Sequence, residues 1–433
     1  MKSYQPGDVL YDRARKVFNG LINNQPTQIF KPSTKTEIRE IIHFARDNNL
    51  TISIKNGGHS SYGISVSRSG IMIDMSNFDQ IEISPTHHEI KVGGGVLSGD
   101  LDLAMSKYGL AIPLGDCPDV GVCGLALGGG FGFLSRKYGL ASDYIKAIEM
   151  ITAKGEMIMV SKGQNPELFR AMKGAGQNNF GVVTSIIFDV IKTPKEVTVY
   201  NYFWPIEKAP EVMQIMQEQL VKNQESLALY TRINQELIAS PTIRLYGMYP
   251  GVNKSAEIVK KELNRINSSL VSQCAITSYY KAQQINRSSI TPNISFHWHS
   301  AVLRKQIGAD LPGKIIDQYL KCPGVMGRIN LDPIGGKMNN PVEEDAMISL
   351  RNGTYILSVI GVWQGKSENE AMYNWSKNCF SELTQDSAHF RYQNYAGQHD
   401  PLKTYFGNLT SSLLLLKNKW DQDGVFEGFL SNN

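Results

Sequence analysis

Two glycine-lined loops, one with a histidine and one with a cysteine, constrain this chain more than any other feature. Residues 54–60 read Ile-Lys-Asn-Gly-Gly-His-Ser, and residues 115–132 read Gly-Asp-Cys-Pro-Asp-Val-Gly-Val-Cys-Gly-Leu-Ala-Leu-Gly-Gly-Gly-Phe-Gly. Because glycine lacks Cβ, such loops let the backbone approach a phosphate and direct N–H groups at its charge. His59 and Cys117 are nucleophiles placed where they could attack a bound ring system. The loops therefore predict a phosphate-bearing cofactor beside two reactive side chains.

Length and charge narrow the class of protein. A chain of 433 residues exceeds one ordinary hydrophobic core, so two domains are expected. A net charge of +4 from 44 basic and 40 acidic residues indicates no nucleic-acid partner. Apolar runs such as 413–416 are too short to cross a bilayer, and residues 1–8 contain no apolar secretory region. We expect a cytoplasmic protein without a membrane partner, of undetermined oligomeric state.

Cysteine usage predicts neither a disulfide framework nor a metal site. The five cysteines are odd in number, widely spaced and without a Cys-x-x-Cys pair: Cys117, Cys123, Cys274, Cys322 and Cys379. His297 and His299 share one face of a predicted strand but have no third ligand nearby. We interpret four cysteines as buried thiols and set Cys117 apart because of its loop.

The first 194 residues alternate short strands and helices. Strands over 27–31 and 50–55 flank a helix over 34–48, which begins at the capping box formed by Thr34 and Glu37. This βαβ pattern delivers the Gly-Gly-His loop at the end of its second strand, a common position for ligands. Further strands are predicted over 71–74, 89–92, 148–151, 157–160 and 182–190. One further helix is predicted to be capped by Ser98 and to end at Gly109, and another to cover 166–173.

Beyond residue 194 the pattern changes to longer helices and half-buried strands. It predicts an α+β domain over 195–387, in which helices cover one antiparallel sheet, and a C-terminal tail over 388–433. The predicted helices are 209–222, 253–268, 312–321 and 368–384, and the predicted strands are 226–234, 242–249, 293–303 and 353–363.

The glycine cluster at 128–132 does not indicate a nicotinamide dinucleotide. That fingerprint needs a strand before it, a helix after it and an acidic residue about 20 positions further on. Here Val-Gly-Val-Cys-Gly precedes the cluster instead. The alternative of a purely structural turn is disfavoured by the other glycine-dense loops at 57–58, 93–95 and 174–181.

Both loops resemble the berberine-bridge-enzyme-like branch of the vanillyl-alcohol-oxidase flavoprotein superfamily, whose FAD-binding domain has two subdomains of the PCMH type. In that branch the Gly-Gly-His histidine carries the flavin 8α-methyl group, and the cysteine of Gly-x-Cys-Pro carries ring carbon 6. The resemblance implies FAD bonded to both His59 and Cys117. Residues 93–101, 124–130 and 137–143 are similar to the 6-hydroxy-D-nicotine oxidases, which use the histidine alone. Cys117 favours the double attachment over that alternative.

The resemblance also implies residue roles. Residues 392–395 resemble the family's Tyr-x-Asn-Tyr segment, so Tyr395 and Tyr392 are the predicted catalytic residues. A tyrosine can accept a hydroxyl proton only if its pKa falls below about 10. Val120 stands at a family position associated with oxygen access. The predicted FAD-binding residues are Lys55, Asn56, Gly57, Gly58, His59, Ser60, Gly115, Asp116, Cys117, Val120, Gly121, Val122, Gly124, Gly128, Gly129, Gly130, Gly132, Asp143, Gly181, Val182, Val183 and Asn394. The candidate substrate-pocket residues are Tyr246, Met248, His297, His299 and Trp363.

These features predict an FAD-dependent oxidase. A small organic alcohol or hemiacetal would lose hydride to flavin N5, and O2 would take the electrons to give hydrogen peroxide. An amine oxidase, a dehydrogenase that avoids oxygen and a non-catalytic flavin-binding protein are the alternatives.

Overall fold

A computed structural model describes residues 1–84, 86, 88–235, 237–286, 294–340, 347–384, 390–397 and 400–431. The strands of the first 194 residues are β1 (Lys2–Tyr4), β2 (Gln28–Lys31), β3 (Ile52–Lys55), β4 (Ile71–Asp74), β5 (Ile81–Ser84), β6 (Glu89–Gly93), β7 (Leu110–Ala111), β8 (Ile145–Ile151), β9 (Met157–Ser161), β10 (Val182–Asp189) and β11 (Ile191–Lys192). Their helices are α1 (Tyr11–Ala14), α2 (Lys35–Asp47), α3 (Ser98–Ser106), α4 (Val122–Leu127), α5 (Ser135–Tyr138) and α6 (Pro166–Ala175).

These strands form two main sheets. The first has the order β1-β2-β4-β3, and β2 and β3 both run parallel to β4, which lies between them. The predicted βαβ unit therefore exists, although a third strand separates its two strands. The second sheet is antiparallel, in the order β5-β6-β10-β8-β9, and β7 pairs with β11 alone.

Helix α2 forms where its sequence predicts it. The Thr34 hydroxyl accepts the N–H of Glu37, and the Glu37 carboxylate accepts the N–H of Thr34, so the predicted capping box is confirmed. One apolar face of the helix is fully buried: Ile38, Ile41, Ile42 and Ala45. The predicted cap of α3 was wrong. Ser98 is the first helical residue, and its hydroxyl donates to the Val120 carbonyl instead of capping the helix.

The remainder of the chain contains one seven-stranded antiparallel sheet, in the order β15-β12-β14-β13-β17-β18-β16. Its strands are β12 (Val197–Pro205), β13 (Ala228–Asn234), β14 (Thr242–Tyr249), β15 (Val271–Thr277), β16 (Ile294–Leu303), β17 (Arg328–Pro333) and β18 (Tyr355–Gln364). The helices that follow α6 are α7 (Ala209–Lys222), α8 (Lys254–Arg265), α9 (Tyr279–Ala282), α10 (Leu311–Tyr319), α11 (Glu370–Thr384), α12 (Leu402–Phe406) and α13 (Thr410–Trp420).

One face of this sheet packs on helices α7, α8, α10 and α11 through a large apolar cluster. Its members alternate along the strands, for example Ile329 and Leu331 on β17. The side chains between them, such as Asn330, therefore project from the opposite face. That opposite face lines the cavity described below.

The C-terminal tail returns to the first sheet. Phe426 forms a parallel bridge with Ile52 on β3, and Lys417 donates to the backbone carbonyls of Asn179 and Phe426. The predicted start of the tail at residue 388 lies outside the described residues. No helix in the described ranges combines the length and apolar character needed to cross a membrane.

Candidate active site

A cavity of about 430 Å³ lies where the two glycine-lined loops, the open face of the seven-stranded sheet and the tail meet. The structure brings together in its lining these predicted residues: Asn56, Gly57, Gly58, His59, Ser60, Gly115, Asp116, Cys117, Val120, Gly121, Gly124, Gly132, Gly181, Val183, Tyr246, Tyr392, Asn394 and Tyr395. Residues more than 300 positions apart in sequence thus line one cavity.

The loops that carry His59 and Cys117 touch each other through two glycines. A Cβ added at Gly57 would lie 2.4 Å from the backbone nitrogen of Gly121. Gly58, which follows, has φ +71°, a conformation that favours glycine. A side chain at Gly57 would push the loops apart, so the glycines are what keep the two nucleophiles at one cavity.

Several polar groups in the lining have no hydrogen-bond partner among the residues that the structure describes. The Asn56 amide and the Ser60 hydroxyl are buried and form no hydrogen bond with any described residue. Burial of unpaired polar groups is unfavourable, so such groups indicate a ligand that pairs with them. A Cβ at Gly124 would meet nothing within 4 Å, which leaves open space on the cavity side of α4. These residues fit a large polar cofactor such as FAD.

The His59 imidazole is uncharged at neutral pH and can therefore act as a nucleophile. Its ring stacks on Phe18 with centroids 4.4 Å apart and an interplanar angle of 17°. Burial lowers the pKa of His59 to about 4, and the charge of Asp119 opposes this only in part. The imidazole therefore keeps a nitrogen lone pair at neutral pH.

The Cys117 thiol lines the same cavity but is protonated at neutral pH. Burial raises the pKa of Cys117 to about 11, although the N–H groups of Asp119 and Val120 donate to its sulfur and oppose the shift. Attack by Cys117 on a bound ring therefore requires the thiol proton to leave during the reaction.

The tail segment 392–395 is fastened to helix α4 and the loop after it. The Tyr392 hydroxyl accepts the N–H of Gly130 at 2.8 Å and the Asn394 amide N–H at 2.7 Å. Asn394 also donates to the Leu125 carbonyl and accepts from Gln177. Because its hydroxyl is already engaged, Tyr392 supports the site more readily than it could act as a base.

The open face of the seven-stranded sheet adds cavity residues that the sequence did not reveal: Tyr230, Arg232, Phe296, Trp298, Arg328, Asn330 and Asp332. Arg232 lies over the Tyr246 ring, 5.5 Å from its centroid. Trp298 packs against Tyr395 with ring centroids 4.6 Å apart. The only signal in the sequence was the alternation of side chains along the strands.

Asp332 is the main functional candidate among them. It is fully buried, and burial raises the pKa of its carboxyl to about 7, helped by the charge of Asp116 and opposed by Arg232 and by a hydrogen bond from Tyr395. The pKa of Tyr395 lies well above its ordinary value because of burial and the charge of Asp332. The lowered tyrosine pKa that a base would need is thus not found, and Asp332 is the better proton acceptor.

Three candidate substrate residues point away from the cavity. His297 packs against Trp363 and Tyr373, and His299 stacks on Phe380, all on the helix-covered side of the sheet. The strand alternation places Phe296 and Trp298, their neighbours, toward the cavity instead. A fourth candidate, Met248, shares a face with Tyr246 but is fully buried in an apolar cluster.

Several predicted cofactor residues also lie outside the lining. Lys55 pairs with Asp74 and donates to the Ala14 carbonyl. Gly128 and Gly129 face the tail, since a Cβ at Gly128 would meet Asn394 at 2.1 Å and one at Gly129 would meet Tyr392 at 3.3 Å, whereas a Cβ at Gly130 would meet Ala141 at 2.9 Å. Asp143 pairs with Arg351 and accepts the Leu140 N–H, and the side chains of Val122 and Val182 lie in apolar cores. These residues support the residues of the cavity wall and do not line the cavity themselves.

The fold and the glycine-lined cavity are those expected of a flavin-binding oxidoreductase. Residues 26–161 match the FAD binding domain family. Among the described residues, no three His, Cys, Asp or Glu side chains are grouped so as to hold a metal ion.

Comparison with known proteins gives the same class. The chain is 26% identical to an FAD-linked oxidoreductase of Dictyostelium discoideum, over 95% of this chain and 90% of that protein. It is 28% identical to (R)-6-hydroxynicotine oxidase of Paenarthrobacter nicotinovorans, over 85% and 81% of the two chains. A berberine-bridge-enzyme-like protein of Physcomitrella patens has the same fold, with a TM-score of 0.89 and 24% identity over 98% and 95% of the chains.

This chain is therefore an FAD-linked oxidoreductase, similar in sequence to 6-hydroxynicotine oxidase and in fold to a berberine-bridge-enzyme-like protein.

Proposed function

We propose that this protein is an oxidase with FAD bonded to both His59 and Cys117, and that it oxidises a small alcohol or hemiacetal. The observation that carries the proposal is the cavity itself, which has two nucleophiles on one side and the Tyr395–Asp332 pair on another. FAD bound there would accept a hydride from the substrate C–H at N5 and pass two electrons to O2, giving hydrogen peroxide.

The residues proposed to hold FAD are those that line the cavity in the two loops, together with Gly181, Val183 and Asn394. The unpaired Asn56 amide and Ser60 hydroxyl would bind its polar groups. Neutral His59 would form a bond through its free ring nitrogen, and Cys117 would form one through sulfur. We also propose residues 1–194 as the FAD-binding domain and 195–387 as the substrate domain, since no sheet crosses residue 194 in the described part of the chain.

Proton removal is assigned to Tyr395 acting with Asp332. The tyrosine hydroxyl donates to the Asp332 carboxyl, so it can accept the proton of a substrate hydroxyl while its own proton passes to Asp332. A carboxyl whose pKa is about 7 is suited to this task near neutral pH, where it is available in both protonation states.

The charges in the cavity favour a neutral substrate. Two carboxyl groups, Asp116 and Asp332, are balanced by two guanidinium groups, Arg232 and Arg328. The ring of Trp298 offers a flat apolar surface beside them, and Asn330 offers an amide. A polyhydroxylated or heterocyclic alcohol would use both kinds of surface.

Amine oxidation is the second candidate function. The relative that is 28% identical over 85% of this chain acts on 6-hydroxynicotine by its name. A deprotonated amine loses hydride without a strong base, so an amine substrate would not need Asp332 as a carboxylate.

The test begins with acid-precipitated protein, which should remain yellow. Proteolysis and mass spectrometry should then find one flavin that joins the peptides containing His59 and Cys117. A separate screen of sugars, secondary alcohols and cyclic amines should detect hydrogen peroxide release with a substrate that carries a hydroxyl group. Complete release of FAD into the acid supernatant would refute the covalent attachment. Peroxide release only with amines would favour the second function, and slow reaction of the reduced flavin with O2 would indicate a dehydrogenase.

A further inference from the structure

The loop that carries Cys117, residues 115–121, is hydrogen-bonded to a short turn of the substrate sheet region, in which Asn286 itself lines the cavity. This turn follows helix α9 and contains Gln283 and Asn286. The Gln283 amide donates to the Gly115 carbonyl at 3.3 Å, and the Asn286 amide donates to the Asp116 carboxylate at 2.6 Å. Both contacts fall on the two residues that immediately precede the cysteine.

Asn286 is itself fixed in one orientation. Its amide oxygen accepts from the Arg244 guanidinium at 2.9 Å, while its amide N–H groups face Asp116. Arg244 is buried and also donates to the Asn201 side chain at 2.8 Å, which ties it to strand β12. A continuous path of hydrogen bonds therefore runs from the substrate sheet through Arg244 and Asn286 to the residue next to Cys117.

The Asp116 carboxylate acts on two other groups of the site. Its charge acts on Asp332 and raises the pKa of that buried carboxyl together with burial. It acts in the same direction on the Cys117 thiol, where burial has the larger effect. The Asn286 N–H groups, polarised by Arg244, are what hold the Asp116 carboxylate on the sheet side of the loop.

We propose that Asn286 is a positioning residue for the attachment of FAD to Cys117. By anchoring Asp116 it would set the direction of the following residue, so that the Cys117 sulfur faces the cofactor ring. This inference rests on the double attachment proposed above.

Formation of the bond between Cys117 and the flavin ring is an oxidation, and O2 is the oxidant that balances it. The S–H bond and one ring C–H bond break, and one S–C bond forms. Two electrons and two protons are left, which O2 takes up as hydrogen peroxide.

The test compares Asn286→Ala and Asn286→Asp with the wild-type holoenzyme. Asn286→Asp keeps the oxygen to which Arg244 donates and replaces the donor to Asp116 with a carboxylate oxygen that repels it. Asn253→Ala is the control, because Asn253 caps helix α8 on the helix-covered side of the sheet and does not line the cavity. Protein is harvested at fixed times after induction, and mass spectrometry measures the fraction of flavin joined to both the His59 and the Cys117 peptides.

Asn286→Ala should form the Cys117 bond about tenfold more slowly, the scale of losing one hydrogen bond to a charged group, and Asn286→Asp at least as slowly, while the His59 bond forms normally in both. Asp116→Ala should slow Cys117 attachment to the same extent. The double variant Asp116→Ala/Asn286→Ala should be no slower than either single variant, because both changes remove the same contact. The control should match the wild type.

Wild-type kinetics of Cys117 attachment in both Asn286 variants would overturn the inference and leave the oxidase proposal intact. A wild-type protein with flavin on His59 alone would refute the double attachment itself, and the role of Asn286 with it.

Discussion

The hydroxyl of Tyr395 is hydrogen-bonded to the buried carboxyl of Asp332, although the two residues belong to the tail and to strand β17 of the seven-stranded sheet. Strand β17 positions the carboxyl, and the contacts of Tyr392 and Asn394 with α4 position the tyrosine. Because the pair joins separate parts of the chain, it exists only in the folded protein. Its chemistry leads to the first two predictions.

Activity should depend on the protonation of Asp332. The pKa of this carboxyl is about 7, so the rate of flavin reduction by an alcohol should rise as the pH increases through 7 and level off above it. Asp332→Asn should lower this rate by about a hundredfold or more and abolish the rise. Stopped-flow measurement of flavin bleaching from pH 5 to 9 checks this. An unchanged pH profile in the variant would remove Asp332 from the mechanism.

The same shift has a consequence for stability. The folded-state pKa of Asp332 lies above its unfolded value of about 3.9. Its contribution to the free energy of unfolding is therefore fully present below that unfolded value and is lost as the pH rises through about 7. Part of this loss should disappear in Asp332→Asn, which chemical denaturation at pH 5 and pH 8 would measure.

Tyr395→Phe should separate the two candidate functions. Removal of the hydroxyl breaks the path to Asp332, so reduction by an alcohol should slow by about a hundredfold or more while FAD stays attached. Stopped-flow reduction of the purified variant gives the rate, and acid precipitation confirms retention of the cofactor. Near wild-type reduction by an alcohol would contradict the assignment, whereas tolerance of the change by an amine substrate would favour amine oxidation.

Val120→Leu should slow the reaction of the reduced flavin with O2 more than it slows flavin reduction. Val120 lines the cavity within the Cys117 loop, and its carbonyl accepts from Ser98, so a longer side chain there has little room to move away. The two half-reactions are measured separately, and reduction serves as the internal control. Equal reoxidation rates in the two proteins would show that Val120 does not limit access of oxygen.

Local patterns predicted the fold well where the cause of a structure was local. The capping box of α2, the strands around the Gly-Gly-His loop and the helix α7 all follow from short-range sequence signals. Strands β12, β15 and β17 were missed, because their pairing depends on distant partners in a seven-stranded sheet.

The same distinction applies to the candidate site. The two nucleophile loops could be located from glycine content and from family resemblance. The sheet wall could not, since the choice between His297 and Trp298 depends on which face of β16 is covered by helices. Asp332 carried no motif, and only folding brings it next to Tyr395.

Lys417 should be a major contributor to the attachment of the tail. Its ammonium group is buried, pairs with Asp421 and donates to the carbonyls of Asn179 and Phe426. Lys417→Met would leave the fully buried Asp421 carboxylate without its cation, and the loss of one partner of a buried pair costs about 3–5 kcal/mol. Lys419→Met is the matched control, because Lys419 lies on the same helix and its pair with Glu167 is exposed.

Chemical denaturation should show a large loss of unfolding free energy for Lys417→Met and almost none for Lys419→Met. Equal stability of the two variants would mean that apolar contacts, such as those of Phe426 against β3, hold the tail without the ion pair.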